Sequence, residues 1–195
     1  MFALNQILNY ISISLLLPVM ALLLLFLGFA VWKLGGFFSM YHTMIRERRT
    51  APAIIAAVRA GALPDTTMKG KLAASIRHFS SLDWNELDCE KALSELEFSG
   101  ERDLEQSRVL MKAGPMLGLM GTLIPMGPAL AGLAAGDVAS MAMNMQIAFA
   151  TTVVGILIAG VGLMLYSVKR HWYAKEISDL RYCLDLELSR RGETK

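Results

Sequence analysis

Five uncharged polar side chains stand inside two long apolar runs: Thr122 in the first, and Asn144, Gln146, Thr151 and Thr152 in the second. Hydroxyls and carboxamides in such surroundings can pass on a hydrogen bond, hold a water, or surround a charged group that another molecule brings into hydrocarbon. None of them titrates near neutral pH. Residues 114–168 carry a single charge, Asp137, near the middle, and neither run contains Asp, Glu, Lys, Arg or His. A proton path through this segment needs a titratable group or water, and if the segment conducts protons the acid is expected from another chain. Each threonine also has a purely structural use, because its hydroxyl can satisfy itself on a carbonyl of the preceding turn.

The same segment is rich in residues that shape a helix. Gly118, Gly121, Gly155 and Gly162, with Ala159, allow two helices to approach closely where lipid exclusion supplies no hydrophobic force between them. Pro115, Pro125 and Pro128 lack the amide that would bond the carbonyl four residues earlier, so they bend the helix or leave acceptors free. The five polar residues are the candidate pore lining, and the glycines and prolines are the candidates for packing and bending. Together they suggest a polar face along a narrow axial space.

The elements that must position these residues follow from run length. Residues 113–136 and 142–168 each exceed the ~20 residues needed to cross ~30 Å of hydrocarbon at 1.5 Å per residue. Joined by a short turn at Asp137, they predict an antiparallel helical hairpin. Residues 11–32 make a third crossing, almost wholly Leu, Ile, Val, Phe and Ala, with Trp32 at one interface. Its composition suits contact with lipid, so it belongs on the outside of the bundle. The uncharged block 1–32 is too long for a secretory signal, has no charged n-region and no clear cleavage signature, and reads as a retained crossing.

With 54% apolar residues in a chain of 195, the composition is outside the usual soluble range. The formal net charge is only +2, yet its distribution is uneven: of 19 Lys and Arg, 12 lie in residues 33–112 and 7 in 169–195. Three crossings put those two blocks on one side of the membrane. The positive-inside rule makes that side the cytoplasm, with the N-terminus and the Asp137 turn outside. The same blocks hold 11 and 5 acidic residues, interleaved with the basic ones, which argues against nucleic-acid binding. Cys89 and Cys183 both fall on the reducing side and are expected as free thiols. No CxxC, HExxH, Walker or dinucleotide motif occurs, and nothing calls for a metal or cofactor.

Between the crossings the pattern is helical. Phe38, Tyr41, Met44 and Ile45 can share one side of a helix that leads to Arg46, Arg48 and Arg49, a topology anchor or a lipid-facing cluster. Gly35 and Gly36 suggest a loosened exit from the membrane. Residues 51–60 read as a short helix with Pro52 in its first turn, ended by Gly61 and Pro64. Asp65 or Thr66 caps a further helix with Met68, Leu72, Ile76 and Phe79 at helical spacing. Asp83 and Glu86 form a capping box for the next, whose apolar side is Leu87, Leu93 and Leu96, with a kink or turn at Gly100. His78 and Trp84 have no catalytic or metal-binding neighbours in sequence and read as packing or surface residues. In the tail, Tyr173, Ile177, Leu180, Leu184 and Leu188 form a stripe with no Gly or Pro before Gly192, so the last crossing continues into the cytoplasm. That stripe serves helix packing, or a membrane surface or partner.

Two short patterns carry a resemblance. Residues 114–122 read Gly-Pro-Met-Leu-Gly-Leu-Met-Gly-Thr, and Ala150-Thr151-Thr152-Val153-Val154-Gly155 sets Thr152 three residues before a glycine. In these motifs and in its order of crossings the chain resembles the MotA, TolQ and ExbB proton-channel family, where the second crossing opens on a pattern like A-P-x-x-G-L-x-G-T and the last carries one like A-T-A-x-G. The chain departs from the pattern at two places. Leu123-Ile124-Pro125 stands where Val-x-Gly is common, and Ile147, beside Gln146, stands where ExbB and TolQ resemble one another in an acidic residue. The compact cytoplasmic block is closer to ExbB and TolQ than to MotA.

The resemblance implies a ring of five such subunits, its second and third crossings lining a pore with Thr122 and Thr152 facing inward. It also implies two copies of an ExbD- or TolR-like single-crossing partner carrying an intramembrane aspartate, and beyond them a TonB- or TolA-like client. The expected fold is an all-α membrane protein: three transmembrane helices with long cytoplasmic helical extensions. Its parts are residues 1–32 with the first crossing, a cytoplasmic helical module at 33–112, the hairpin at 113–168 and a cytoplasmic helix at 169–195. The expected function is that of a pore-ring subunit in a proton-driven inner-membrane motor energising envelope transport or a related process, not an enzyme. The alternative is a non-conducting oligomeric membrane scaffold.

Overall fold

The computed structural model describes residues 2–62 and 70–193. Among them are four helices: α1 (Phe2–Arg59), α2 (Lys71–Ser81), α3 (Glu86–Ala134) and α4 (Val138–Glu193). α1, α3 and α4 are each long and apolar enough to cross a membrane. The protein is all-α, with three helices of membrane-spanning length and further helical extensions. The chain divides into two compact units, Met1–Gly35 with Gln106–Tyr166, and Gly36–Glu105 with Ser167–Lys195.

In the first unit, the turn between α3 and α4 is built by Gly136 and Asp137. Gly136 takes φ +76°, a left-handed conformation that favours glycine, and the Asp137 carboxylate accepts the Ser140 amide at 3.0 Å as the N-cap of α4. Burial then marks one stripe on each limb. On α3 it runs through Gly114, Gly118, Gly121, Pro125 and Ala129, and on α4 through Ala148, Thr151, Gly155, Ile158, Gly162 and Leu165. The α4 stripe alternates steps of three and four residues, the spacing of a coiled-coil seam. α1 adds Leu23 and Ala30 to an apolar cluster with Leu110 and Ile158. Its other side is open, with Leu17 79% exposed and Leu25 68%, which suits lipid contact.

The second unit has its own core. Ile54 and Val58 of α1, Ile76 and Phe79 of α2, Leu93 of α3 and Leu180 and Leu184 of α4 are buried together. Ile177 and Leu188 pack against them, so the tail stripe serves packing. Trp84 is buried in the same core, its ring edge-on to Phe79, while His78 is exposed. Arg190 caps the end of α1, donating to the Val58 and Arg59 carbonyls.

Several local expectations are corrected. α1 runs without a break through Gly35, Gly36 and Pro52, so residues 51–59 are the last turns of one 58-residue helix, with Gly61 in the turn that follows it at φ +82°. Nothing lies within 4 Å of where a side chain on Gly35 or Gly36 would stand, so these glycines lie on open helix surface. α3 is likewise continuous through Gly100, which is buried because the Tyr173 ring covers it, 3.3 Å from where a Cβ would be. The box at Asp83 and Glu86 does not form. Asp83 and Trp84 take φ +54° and +55°, and α3 starts two residues later, with the Asn85 carboxamide donating to Asp88 at 2.9 Å. Leu93 is buried as expected, whereas Leu87 is 77% exposed and Leu96 40%. The Asp65 or Thr66 cap and Met68 lie outside the described residues.

Candidate functional site

The hairpin limbs are in contact along backbone. A Cβ on Gly155 would stand 2.7 Å from the Gly114 carbonyl oxygen and 2.8 Å from Gly118 Cα, distances that real Cβ atoms do not adopt. A Cβ on Gly162 would meet the Met111 nitrogen at 2.5 Å. These positions require glycine because two helices share the space one side chain would need. Gly121 sits against Thr151, where an added Cβ would lie 2.6 Å from the threonine Cβ.

Thr151 is thus a seam residue, 5% exposed, while Thr122 and Thr152 sit half-buried beside the seam. All three hydroxyls donate to their own helix: Thr122 to the Leu119 carbonyl at 2.7 Å, and Thr151 and Thr152 both to the Ala148 carbonyl at 2.9 and 3.1 Å. Such a hydroxyl has used its proton and keeps its oxygen lone pairs as acceptors. It can receive a hydrogen bond from water or from a protonated carboxyl. Gly118 lies level with Thr152, a Cβ there meeting Thr152 Cα at 3.6 Å, so Thr122, four residues on, is within about one turn, or ~6 Å, of Thr152 along the axis.

The remaining candidates divide. The Asn144 carboxamide donates to the Ser140 carbonyl at 2.9 Å, and Gln146 is exposed. Of the prolines, Pro115 is exposed, Pro128 half-buried and Pro125 buried in the seam, and all three lie inside the continuous α3 helix. Their missing amides leave the carbonyls of Met111, Gly121 and Ile124 without the bond from four residues ahead. Two of those carbonyls flank Thr122 in sequence.

A second polar group escaped sequence reading. Lys169, 6% exposed, pairs with Asp103 at 2.7 Å, and the Tyr173 hydroxyl donates to the same carboxylate oxygen at 2.9 Å. Burial and the carboxylate hold the Tyr173 phenol well above its ordinary range. The sequence signal was available: Lys169 is the first charge after the third crossing and Asp103 stands shortly before the second. Ion-pairing partners, however, depend on helix rotation. Among the described residues no group of three or more His, Cys, Asp or Glu is placed to hold a metal ion.

Comparison with curated proteins and with solved structures gives no match. The family model described as the MotA/TolQ/ExbB proton channel family matches residues 49–181, more than half of the chain and all of the hairpin. A multi-helix membrane fold with a small-residue hairpin is consistent with the oligomeric channel components of that family. The chain belongs to the MotA/TolQ/ExbB proton channel family.

Proposed function

We propose that the chain is a pore-ring subunit of a proton-driven inner-membrane motor, with Thr122 and Thr152 facing the pore and Thr151 holding the wall together. The observation that carries this reading is the pairing of two hairpin limbs that contain no acid with two half-buried threonines whose hydroxyls are back-bonded and whose oxygens are free to accept. A carboxylate in mid-membrane is costly unless polar groups surround it. A ring of threonine oxygens eases that cost and accepts from the acid when it is protonated. The acid belongs to a single-crossing partner of the ExbD or TolR kind, held as a pair inside a pentameric ring. Proton flow through that aspartate then drives movement of the partner against the ring and, through it, a TonB- or TolA-like client.

The distribution of Lys and Arg supports an orientation with the N-terminus and the Asp137 turn outside and residues 33–112 and 169–195 in the cytoplasm. The shortness of the intervening block supports a place nearer ExbB and TolQ than MotA. The absence of an acid at Ile147 makes the partner's aspartate the sole carboxyl in this scheme. Asn144 and Gln146 belong to the outer part of the pore wall.

A second reading, a non-conducting scaffold, is favoured by the glycine seam, which packs the hairpin with no reference to an ion. Copurification with a single-crossing, aspartate-bearing protein, followed by mass measurement of the complex, separates the two. A ring with an inner pair supports the motor, and a ring that never retains such a partner supports the scaffold.

A further inference from the structure

The second unit contains a cavity of about 330 Å³ between α1 and α4 that none of the roles above uses. Its floor is apolar, formed by Met44, Ile45, Leu72 and Val168, with the stacked rings of Tyr41 and Trp172, 5.4 Å apart, as one wall. A smaller cavity adjoins it, and Arg48, Lys175 and Asp179 line both. Among the described residues neither Arg48 nor Lys175 is taken up in an ion pair, although Glu176 and Asp179 line the same space. Glu47, also on the wall, already accepts the Lys71 amide at 3.0 Å. The slot is therefore edged by two cations with no ion-pair partner, by Asp179, and by Glu176, which has only the more distant Lys71 charge to offset its burial.

That mixture discriminates among ligands. An anionic headgroup meets Arg48 and Lys175 but faces two carboxylates, and a simple cation meets the reverse. A headgroup bearing a phosphate and an ammonium satisfies both pairs. Val168 ends the uncharged run of α4, and Lys175 is seven residues, about 10 Å of helix, beyond it, within a lysine side chain's reach of the membrane–water boundary. Trp172 and Tyr41 are the ring types enriched at that boundary.

We propose that this groove seats one phospholipid with a zwitterionic, ammonium-bearing headgroup, its phosphate held by Arg48 and Lys175 and its ammonium by Glu176 and Asp179. The acyl chain leaves along Met44, Ile45 and Val168 toward the hydrocarbon. Burial pushes the Glu176 carboxyl upward, with Lys71 opposing and Glu47 adding. A lipid ammonium would add to what Lys71 supplies.

The test uses the full chain in mild detergent, titrated with dioleoyl phosphatidylethanolamine or dioleoyl phosphatidylglycerol and read by native mass spectrometry. Phosphatidylethanolamine is expected to be retained about tenfold better, the worth of one charge-assisted contact. Arg48→Gln with Lys175→Gln should lower retention of both lipids, whereas Glu176→Gln with Asp179→Asn should abolish the preference between them. A phosphatidylethanolamine carrying a photoreactive acyl chain, applied to the unaltered protein, should label residues 41–51 and 168–179. Equal retention of the two lipids, labelling confined to other segments, or equal competition by soluble glycerophosphoethanolamine would each overturn the proposal. So would a disulfide between two copies of an Ile45→Cys variant, which would show a second copy covering the groove.

Discussion

Gly114 and Gly155 touch through their backbones: a methyl group on either would come within 2.7 Å of the other's carbonyl oxygen. The hairpin limbs are therefore held at a separation set by glycine, and the half-buried position of Thr122 and Thr152 follows from it. Gly155→Ala should destabilise the folded protein by about 1–3 kcal/mol, the usual cost of overpacking, read as a lowered thermal midpoint in detergent. An unchanged midpoint would mean the limbs stand farther apart.

Gly121 and Thr151 allow a sharper version. Gly121→Ala puts its methyl 2.6 Å from Thr151 Cβ, and Thr151→Gly removes the obstacle. The double variant should recover part of the stability lost in Gly121→Ala. Simple additivity of the two losses would argue against direct contact.

Asp103 and Lys169 form an ion pair whose lysine side chain is only 8% exposed. Asp103→Ala leaves that ammonium with its partner gone and should cost about 3 kcal/mol, whereas Asp103→Leu with Lys169→Met should recover much of it. Chemical unfolding of the three proteins checks this. Equal loss in the single and double variants would remove the pair from the account.

Cys183 lies in the core of the second unit, and burial pushes its thiol up to about 11 from an ordinary 9.0. At pH 8 its labelling by a thiol reagent should be about 100-fold slower or more in the folded protein than in denaturant, because the thiolate is scarcer and the buried sulfur is shielded from the reagent. Cys89 is raised as well, chiefly by burial. Since the folded thiol holds its proton more tightly, its contribution to stability is complete below pH 9 and is lost as pH rises from about 9 to 11. Stability that stayed level across that window would contradict the burial.

Charge spacing made the three crossings and the Asp137 turn legible, because uncharged runs of that length have few other uses. The glycines announced a close seam for the same reason. Smaller boundaries were not legible. Gly35, Gly36, Pro52 and Gly100 all read as breaks, yet all lie within continuous helices. Each costs helix propensity locally, and that cost is outweighed where the flanking turns pack, as Tyr173 does over Gly100. Asp83 read as a cap because its spacing to Glu86 was right, but its left-handed backbone moved the cap to Asn85 and the helix start to Glu86. At the site, sequence supplied the threonines without their division of labour. Which of Thr151 and Thr152 enters the seam depends on a rotation of ~100° per residue, and only the packed helices specify it.

The central claim is that Thr122 and Thr152 line a proton path whose acid comes from a partner. Proton flux into proteoliposomes holding this chain and its single-crossing partner tests it most directly, comparing the unaltered ring with a ring carrying Thr122→Val and Thr152→Val. The account predicts an intact assembly of unchanged mass with flux lowered about tenfold or more, since each lost hydrogen-bonding oxygen leaves the partner's aspartate less well surrounded. Flux equal to that of the unaltered complex would contradict it.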